Sequence, residues 1–176
     1  CDSMVLLGEN RRLCYYGMKV LEKTRRPGLK ELIRESGVKK LNSDSIGFQI
    51  GPRINAAGRM ETAERALDLV LAESRLEAAN LALELEGLNK KRKQQQNAAV
   101  AEVRMRGVED GPVIIEVGDW HEGILGIIAG RLTEEYQRPA FALAEVNGML
   151  KGSGRSFGDF NLAEALQKCQ DCIIGG

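Results

Sequence analysis

SRLEAANLALELEGLNKKRKQQQNAAVAEVRMR, residues 74–106, runs without a proline and with a single glycine, Gly87. Apolar residues recur along it at Leu76, Ala79, Leu83 and Leu88, then at Ala98, Val100 and Val103. Left unbroken, it makes one helix of about 32 residues, close to 48 Å at the usual rise per residue. That length suits a connector between two lobes. The middle of the stretch, NKKRKQQQN at 89–97, is polar all round. It reads as a solvated bridge face, with a basic stripe flanking a nucleic-acid groove as the alternative.

The sequence changes character across this stretch. On its N-terminal side helical patterns dominate. NRRLCYYGMKVLEKTRR carries Leu13, Tyr16, Met18 and Leu21 near helical spacing, Pro27-Gly28 breaks it, and LKELIRESG makes a second short helix ending at Gly37. Ser43 is placed to cap a short turn in SDSIGFQIGP. ETAERALDLVLA, 61–72, reads as an amphipathic helix with Ala63, Ala66, Leu67 and Val70 on one side. After Gly107 come PVIIEV (112–117) as a β-branched strand, an apolar helix over 123–136, PAFALAEV (139–146) as a second strand and MLKGSGRS (149–156) as a third. NLAEALQKC then opens a helix with Asn161 at the N-cap and Glu164 three residues on. The order strand, helix, strand, strand, helix implies a small α/β lobe.

Composition sets outer bounds. With 176 residues, 43% of them hydrophobic, the chain can bury one good core or two small ones. Lys and Arg total 25 against 25 Asp and Glu, so attraction to a polyanion has to come from a local basic surface. The cysteines are Cys1, Cys14, Cys169 and Cys172. Their one C-x-x-C pair has no second pair or nearby histidine to complete a zinc site, and free thiols are the reading. No apolar run approaches a membrane span and no charged-then-apolar leader opens the chain, which reads as soluble and cytoplasmic with no membrane partner. Both ends look cut.

Three stretches are denser in glycine, arginine and small polar residues than structure requires. GPRINAAGRM (51–60) offers Arg53, Asn55 and Arg59 as donors for phosphate oxygens, or else is a helix-entry loop with its arginines on acidic neighbours such as Glu61. KGSGRS (151–156) alternates Gly152 and Gly154 with Ser153 and Arg155. In a strand the last two point to one face without neighbouring bulk, as a terminal phosphate requires; a Gly-rich hairpin turn is the alternative. GDWHEGILG (118–126) puts the single tryptophan, Trp120, beside the single histidine, His121, with Glu122, between a strand and an apolar helix whose first amides suit an anion. A helix cap is the competing role for His121. Leu125 stands four residues beyond it, which excludes an H-E-x-x-H zinc site.

Taken in order, CDSMVLLGENR, YYGMKVLEKTRRPGLKELI, IGFQIGPRINAAGRM, the long helix, GDWHEGILGIIAGRL and KGSGRSFGDFNLAEAL resemble the single-strand-specific exonucleases of the DHH phosphoesterase superfamily over almost the whole chain. The resemblance implies an α/β protein comprising the helical end of a DHH domain (1–72), a long connecting helix (73–106) and a small, truncated α/β DHHA1 domain (107–176). It implies an active site in the groove between the lobes. Asp2 matches the family's last metal-ligand aspartate, and the other metal motifs would lie upstream. Ser153 and Arg155 would hold a 5′ terminal phosphate. Arg53, Asn55 and Arg59 would line the groove beside the scissile phosphate, with His121 and Glu122 as further groove residues. Trp120 would offer an apolar wall or a stacking face. Position 154 is glycine where alanine is frequent in the family.

The implied activity is 5′→3′ hydrolysis of single-stranded DNA with Mn²⁺ or Mg²⁺, in DNA repair and recombination, with a single-strand-binding protein or helicase among the partners. The 176 residues alone would be inactive, since one carboxylate cannot assemble a two-metal centre. A phosphodiesterase of short oligonucleotides or cyclic dinucleotides is the alternative, as is a catalytically inactive nucleic-acid-binding relative.

Overall fold

The computed structural model describes residues 4–175, so Cys1, Asp2, Ser3 and Gly176 lie outside the described residues. The chain divides into two compact units, residues 1–92 and 93–176, with the boundary inside the long helix.

The first unit is helical. Helices α1 (Gly8–Glu22) and α2 (Pro27–Glu35) are separated where Pro27 opens α2, a position at which its missing N–H costs nothing. A π-helical turn, Ser45–Ile50, runs directly into α3 (Gly51–Met60). GPRINAAGRM is therefore a helix and not an entry loop. The turn is started by Asn42, whose Oδ1 accepts from the Ser45 amide at 2.8 Å, so Ser43 is not the cap. Helix α4 spans Glu64–Leu71 and buries Ala66 and Leu69. Ala63 and Leu67, expected on the inner side, are exposed; the inward face is rotated by about one residue from the one the pattern indicated. Leu32, Ile50, Ala57, Ala66, Leu69, Ala78, Ala82 and Leu85 form the core of this unit.

Helix α5, Arg75–Arg106, is unbroken over 32 residues as its sequence requires. Val100 and Val103 are buried as expected, but the other inward positions differ from those expected. Leu76 and Leu83 are exposed, and burial follows Ala78, Ala82, Leu85, Asn89, Gln96, Ala99 and Val103. These positions keep the alternating four- and three-residue spacing of one helix face. The polar middle is thus not solvated all round: Asn89 is 1% exposed and Gln96 8%. The face was hidden in the sequence because its central members are polar.

The second unit is a three-stranded sheet with a helix on one side. Strand β1 (Ile114–Val117) pairs in parallel with β2 (Ala140–Val146), and β2 pairs antiparallel with β3 (Met149–Arg155). The crossover between β1 and β2 is a 3₁₀ turn, Glu122–Ile124, continuing into α6 (Leu125–Tyr136). Asn147 and Gly148, both at positive φ, make the two-residue turn between β2 and β3, the usual device for a tight hairpin. Ala140, Ala142 and Ala144 are buried along β2, and α6 contributes Leu125, Ile128, Ala129 and Leu132. Small residues on the strand let the helix pack closely. Helix α7 (Leu162–Gln167) follows, its Asn161 cap accepting from the Glu164 amide at 3.2 Å.

Candidate nucleic-acid interface

The candidate residues fall into two groups, one in each unit. On α3 they part company. Arg53 turns to the long helix, its Nε 2.7 Å from Glu86 Oε2, with both side chains almost buried at 12% and 13% exposure. Its Nη1 also donates to the Gln49 carbonyl at 2.6 Å. That guanidinium braces α3 against α5. Asn55 is exposed and Arg59 half-buried; four residues apart, they share a face of α3. Burial lowers the affinity of the Arg92 guanidinium of α5 for its proton, and the charge of Arg59 adds to this in smaller measure. Arg92 was not among the residues singled out from sequence, because it sits inside the NKKRK run where every neighbour is also basic.

In the second unit Ser153 and Arg155 stand together on β3, Arg155 Nη1 donating to Ser153 Oγ at 3.3 Å and to the Gly154 carbonyl at 2.8 Å. Among the described residues no carboxylate pairs with Arg155. Both side chains reach the first turn of α6: a Cβ placed at Gly126 would lie 3.0 Å from Arg155 Nη2 and 3.0 Å from Ser153 Oγ. Gly130, one turn on, lies under the Arg155 stem. The clearance for these two side chains is made by the glycines of α6. Gly152 and Gly154 serve the opposite face, where Leu143 and Phe141 cross the strand and a Cβ at 154 would sit 2.6 Å from the Phe141 ring. The spacing of Gly126 and Gly130 was a readable signal for a close helix-to-strand approach.

The arrangement is suited to an anion. A hydroxyl and a guanidinium converge on the positive end of a twelve-residue helix, with neutral partners only. Glu122, at the start of the same turn, is paired with Lys151 of β3 at 3.0 Å. His121 caps the turn: its Nδ1 accepts from the Gly123 amide at 3.1 Å. In the neutral ring this puts the proton on Nε2, which becomes a donor directed away from the cap.

Trp120 corrects the expectation of a stacking face. It is 8% exposed, its Nε1 donates to Glu102 Oε2 at 3.0 Å, and the Arg106 guanidinium lies 5.9 Å from its ring centroid. A Cβ at Gly118 would overlap the indole, which is why glycine precedes it. Arg106 also bridges to Glu116 at 3.3 Å and donates to the Val117 carbonyl at 3.1 Å. Burial holds the Glu116 carboxyl above its usual range, with Arg106 opposing. The tryptophan locks the end of α5 onto β1. The pair Trp120-His121 therefore splits into a structural residue and a presented one.

Asp2 lies outside the described residues. Among the described residues no group of three or more His, Cys, Asp or Glu side chains is placed to hold a metal ion. Among the described residues no helix is long and apolar enough to cross a membrane.

Residues 110–176 match the DHHA1 domain family, the class that this sheet-and-helix unit defines. The chain is 38% identical over 180 residues to the single-stranded-DNA-specific exonuclease RecJ of Bacillus subtilis, covering 98% of this chain and 23% of that protein. Its fold matches the crystal structure of RecJ from Thermus thermophilus in complex with Mg²⁺ at a TM-score of 0.90 and 32% identity, over 98% of this chain and 28% of that one. The complex of Thermus thermophilus RecJ with Mn²⁺ gives a TM-score of 0.89 at 32% identity, over 97% of this chain and 26% of that one. Over nearly its whole length the chain is similar to RecJ proteins, and it spans about a quarter of the length of these relatives.

Proposed function

We propose that the whole protein is a metal-dependent exonuclease that degrades single-stranded DNA from its 5′ end in DNA repair and recombination. The observation that carries this reading is the pairing of Ser153 with Arg155 at the N-terminal turn of α6, where Gly126 leaves room for both. A terminal phosphate presents several acceptor oxygens and about two negative charges, which this set of donors matches. An internal phosphodiester offers fewer. A pocket that prefers the terminal group fixes the strand end, and with it the direction of travel and the release of one nucleotide per cut.

His121, through its Nε2 donor, and Glu122, through the Lys151 it holds, extend the contact surface of the second unit. On the first unit Asn55 and Arg59 supply strand contacts, and Arg53 positions their helix through Glu86. The domain assignment that goes with this reading is the end of a DHH domain over 1–72, the connecting helix over 73–106 and the DHHA1 domain from 107. The names of the relatives, single-stranded-DNA-specific exonucleases solved with Mg²⁺ or Mn²⁺, support the substrate class and the cofactor. The described side chains do not form a centre for that metal, so their part is binding and orientation. The same reading makes the protein cytoplasmic, with a single-strand-binding protein or a helicase as partner.

The test is to incubate the whole protein with Mn²⁺ and a long single strand labelled at the 5′ end in one reaction and at the 3′ end in another. Immediate release of labelled mononucleotide from the 5′ label, with the 3′ label retained in shortening strands, is expected. No cleavage of either strand would replace this reading with a short-oligonucleotide phosphodiesterase or a binding module. Arg155→Ala is expected to lose the preference for phosphorylated over hydroxyl 5′ ends. Equal preference in variant and parent rejects the pocket.

A further inference from the structure

The chain carries no net charge, yet its positive charge is unevenly spread. Between residues 11 and 26, Arg11, Arg12, Lys19, Lys23, Arg25 and Arg26 stand against a single carboxylate, Glu22. All six cations are exposed, and among the described residues none of them makes an ion pair. Such a run is a local basic surface on a neutral protein, the feature that attraction to a polyanion requires.

Helix α1 sorts these charges onto one side. Arg11, Tyr15, Lys19 and the C-cap Lys23 follow one another at four-residue steps. They make a row about 18 Å long, and Arg12 lies beside it. Glu22, in the last turn, is the one carboxylate on that side. Leu13, Val20 and Leu21 fall on the other side, so a cover over the apolar residues leaves the basic row open. Two tyrosines belong to the basic region, Tyr15 at 52% exposure and Tyr16 at 62%. Their rings stand edge to face with centroids 5.3 Å apart, and Lys19 Nζ lies 4.2 Å from the Tyr15 centroid and 5.8 Å from that of Tyr16. An exposed ring with a cation beside it suits an unpaired nucleotide, whose base stacks while its phosphate meets the charge. A double helix keeps its base faces hidden and gains nothing from the tyrosines.

We propose that the basic side of α1 is a second contact surface for single-stranded DNA, stacking a base on Tyr15 and taking backbone phosphates on Lys19 and Lys23. The surface rests on the single-strand reading above and deepens it. It adds a contact that is indifferent to how the 5′ end is finished, unlike the Ser153 and Arg155 pocket. A basic helix that lies on an anionic membrane carries its aromatic residues on the apolar side. Here Tyr15 stands among the cations, which favours the strand.

Fluorescence anisotropy of a labelled oligothymidylate with the whole protein tests this, with divalent metal removed so that nothing is cut and with salt varied. Tyr15→Ala is expected to weaken binding about tenfold, the loss of one stacked base, while Tyr15→Phe binds as the parent does. On an abasic strand of the same length Tyr15→Ala and the parent should bind alike, because no base is there to stack. Lys19→Gln combined with Lys23→Gln should weaken binding to both strands and lower the slope of log K against log salt by about 1.4, the contribution of two phosphate contacts on a single strand. Each loss should be equal for 5′-phosphorylated and 5′-hydroxyl strands. Thermal unfolding separates binding from folding, and every variant is expected to unfold with the parent, as exposed substitutions do. Three results overturn the surface and leave the terminal-phosphate reading standing: the parent's affinity in Tyr15→Ala, an equal loss on the abasic strand, or a double lysine variant that keeps its strand affinity and slope but no longer binds vesicles of phosphatidylserine and phosphatidylcholine. A parent protein that binds no strand overturns both.

Discussion

On α3, Arg53 is enclosed against a carboxylate of the long helix; on β3, Arg155 meets only a hydroxyl and a peptide carbonyl. Both lie in short Gly- and Arg-containing stretches that read alike, and their neighbours give them opposite duties. A nearly buried guanidinium with a nearly buried carboxylate at 2.7 Å has its charge matched within the fold, and removing the arginine leaves Glu86 only the longer, more exposed contact with Lys90 at 3.6 Å. A guanidinium whose neighbours are neutral, over the positive end of a helix, keeps its charge for something that arrives from outside. The comparison teaches that the charge of the immediate surroundings, and not the local motif, divides an arginine whose charge is matched within the fold from one whose charge is not.

The largest consequence falls on stability. Arg53→Met should cost about 3 kcal/mol, because it takes from the nearly buried Glu86 its close counter-charge and leaves only Lys90 at 3.6 Å. Combining it with Glu86→Leu should recover much of that loss, since an apolar pair replaces a charged one. Denaturant unfolding of the single and double variants measures both. Arg155→Gln, by contrast, should change unfolding by less than about 0.5 kcal/mol, the range of exposed substitutions. If Arg155→Gln destabilised as much as Arg53→Met, the division between the two arginines would collapse.

A smaller effect sharpens the same comparison from the helix side. Gly126→Val would push a side chain into the space between α6 and the Ser153 and Arg155 pair, where even a Cβ sits 3.0 Å from both. The expected outcome is about a tenfold loss of preference for a phosphorylated 5′ end, the equivalent of one charged hydrogen bond. Competition between phosphorylated and hydroxyl strands reads it directly. An unchanged preference would mean that the anion does not enter between strand and helix.

How much of this was open to reading from the sequence depends on the range of the cause. The long helix was legible because a stretch without proline and with one glycine has little else to become, and the β-branched run at 114–117 and the apolar run at 140–146 announced their strands. Its inward face was not legible. Asn89, Arg92 and Gln96 occupy positions where an apolar residue would have marked the stripe, while Leu76 and Leu83 are exposed and pulled the pattern off register. Ser153 and Arg155 were found from their alternation. The glycines that clear space for them lie on α6, some two dozen residues upstream, and no local pattern connects the two. The partners of Arg53 and Trp120 were not legible for the same reason: Glu86 and Glu102 are distant in sequence and adjacent only after folding.

His121 offers the finest test, because two functions meet on one ring. Its Nδ1 caps the turn that starts α6, and its Nε2 carries the outward donor. Asparagine is a good capping residue but lacks a donor at the distance of Nε2; alanine lacks both. His121→Asn should therefore unfold within a few tenths of a kcal/mol of the parent and His121→Ala about 1 kcal/mol more easily, as for other lost caps. Strand affinity should fall in both variants, by a similar few-fold. If only His121→Ala weakened binding, the cap would be the whole role of the histidine, and the second unit's surface would begin at Ser153 and Arg155. Equal losses in affinity beside unequal losses in stability would show that Trp120 and His121, adjacent in the chain, divide a structural duty from a contact as Arg53 and Arg155 do across the two units.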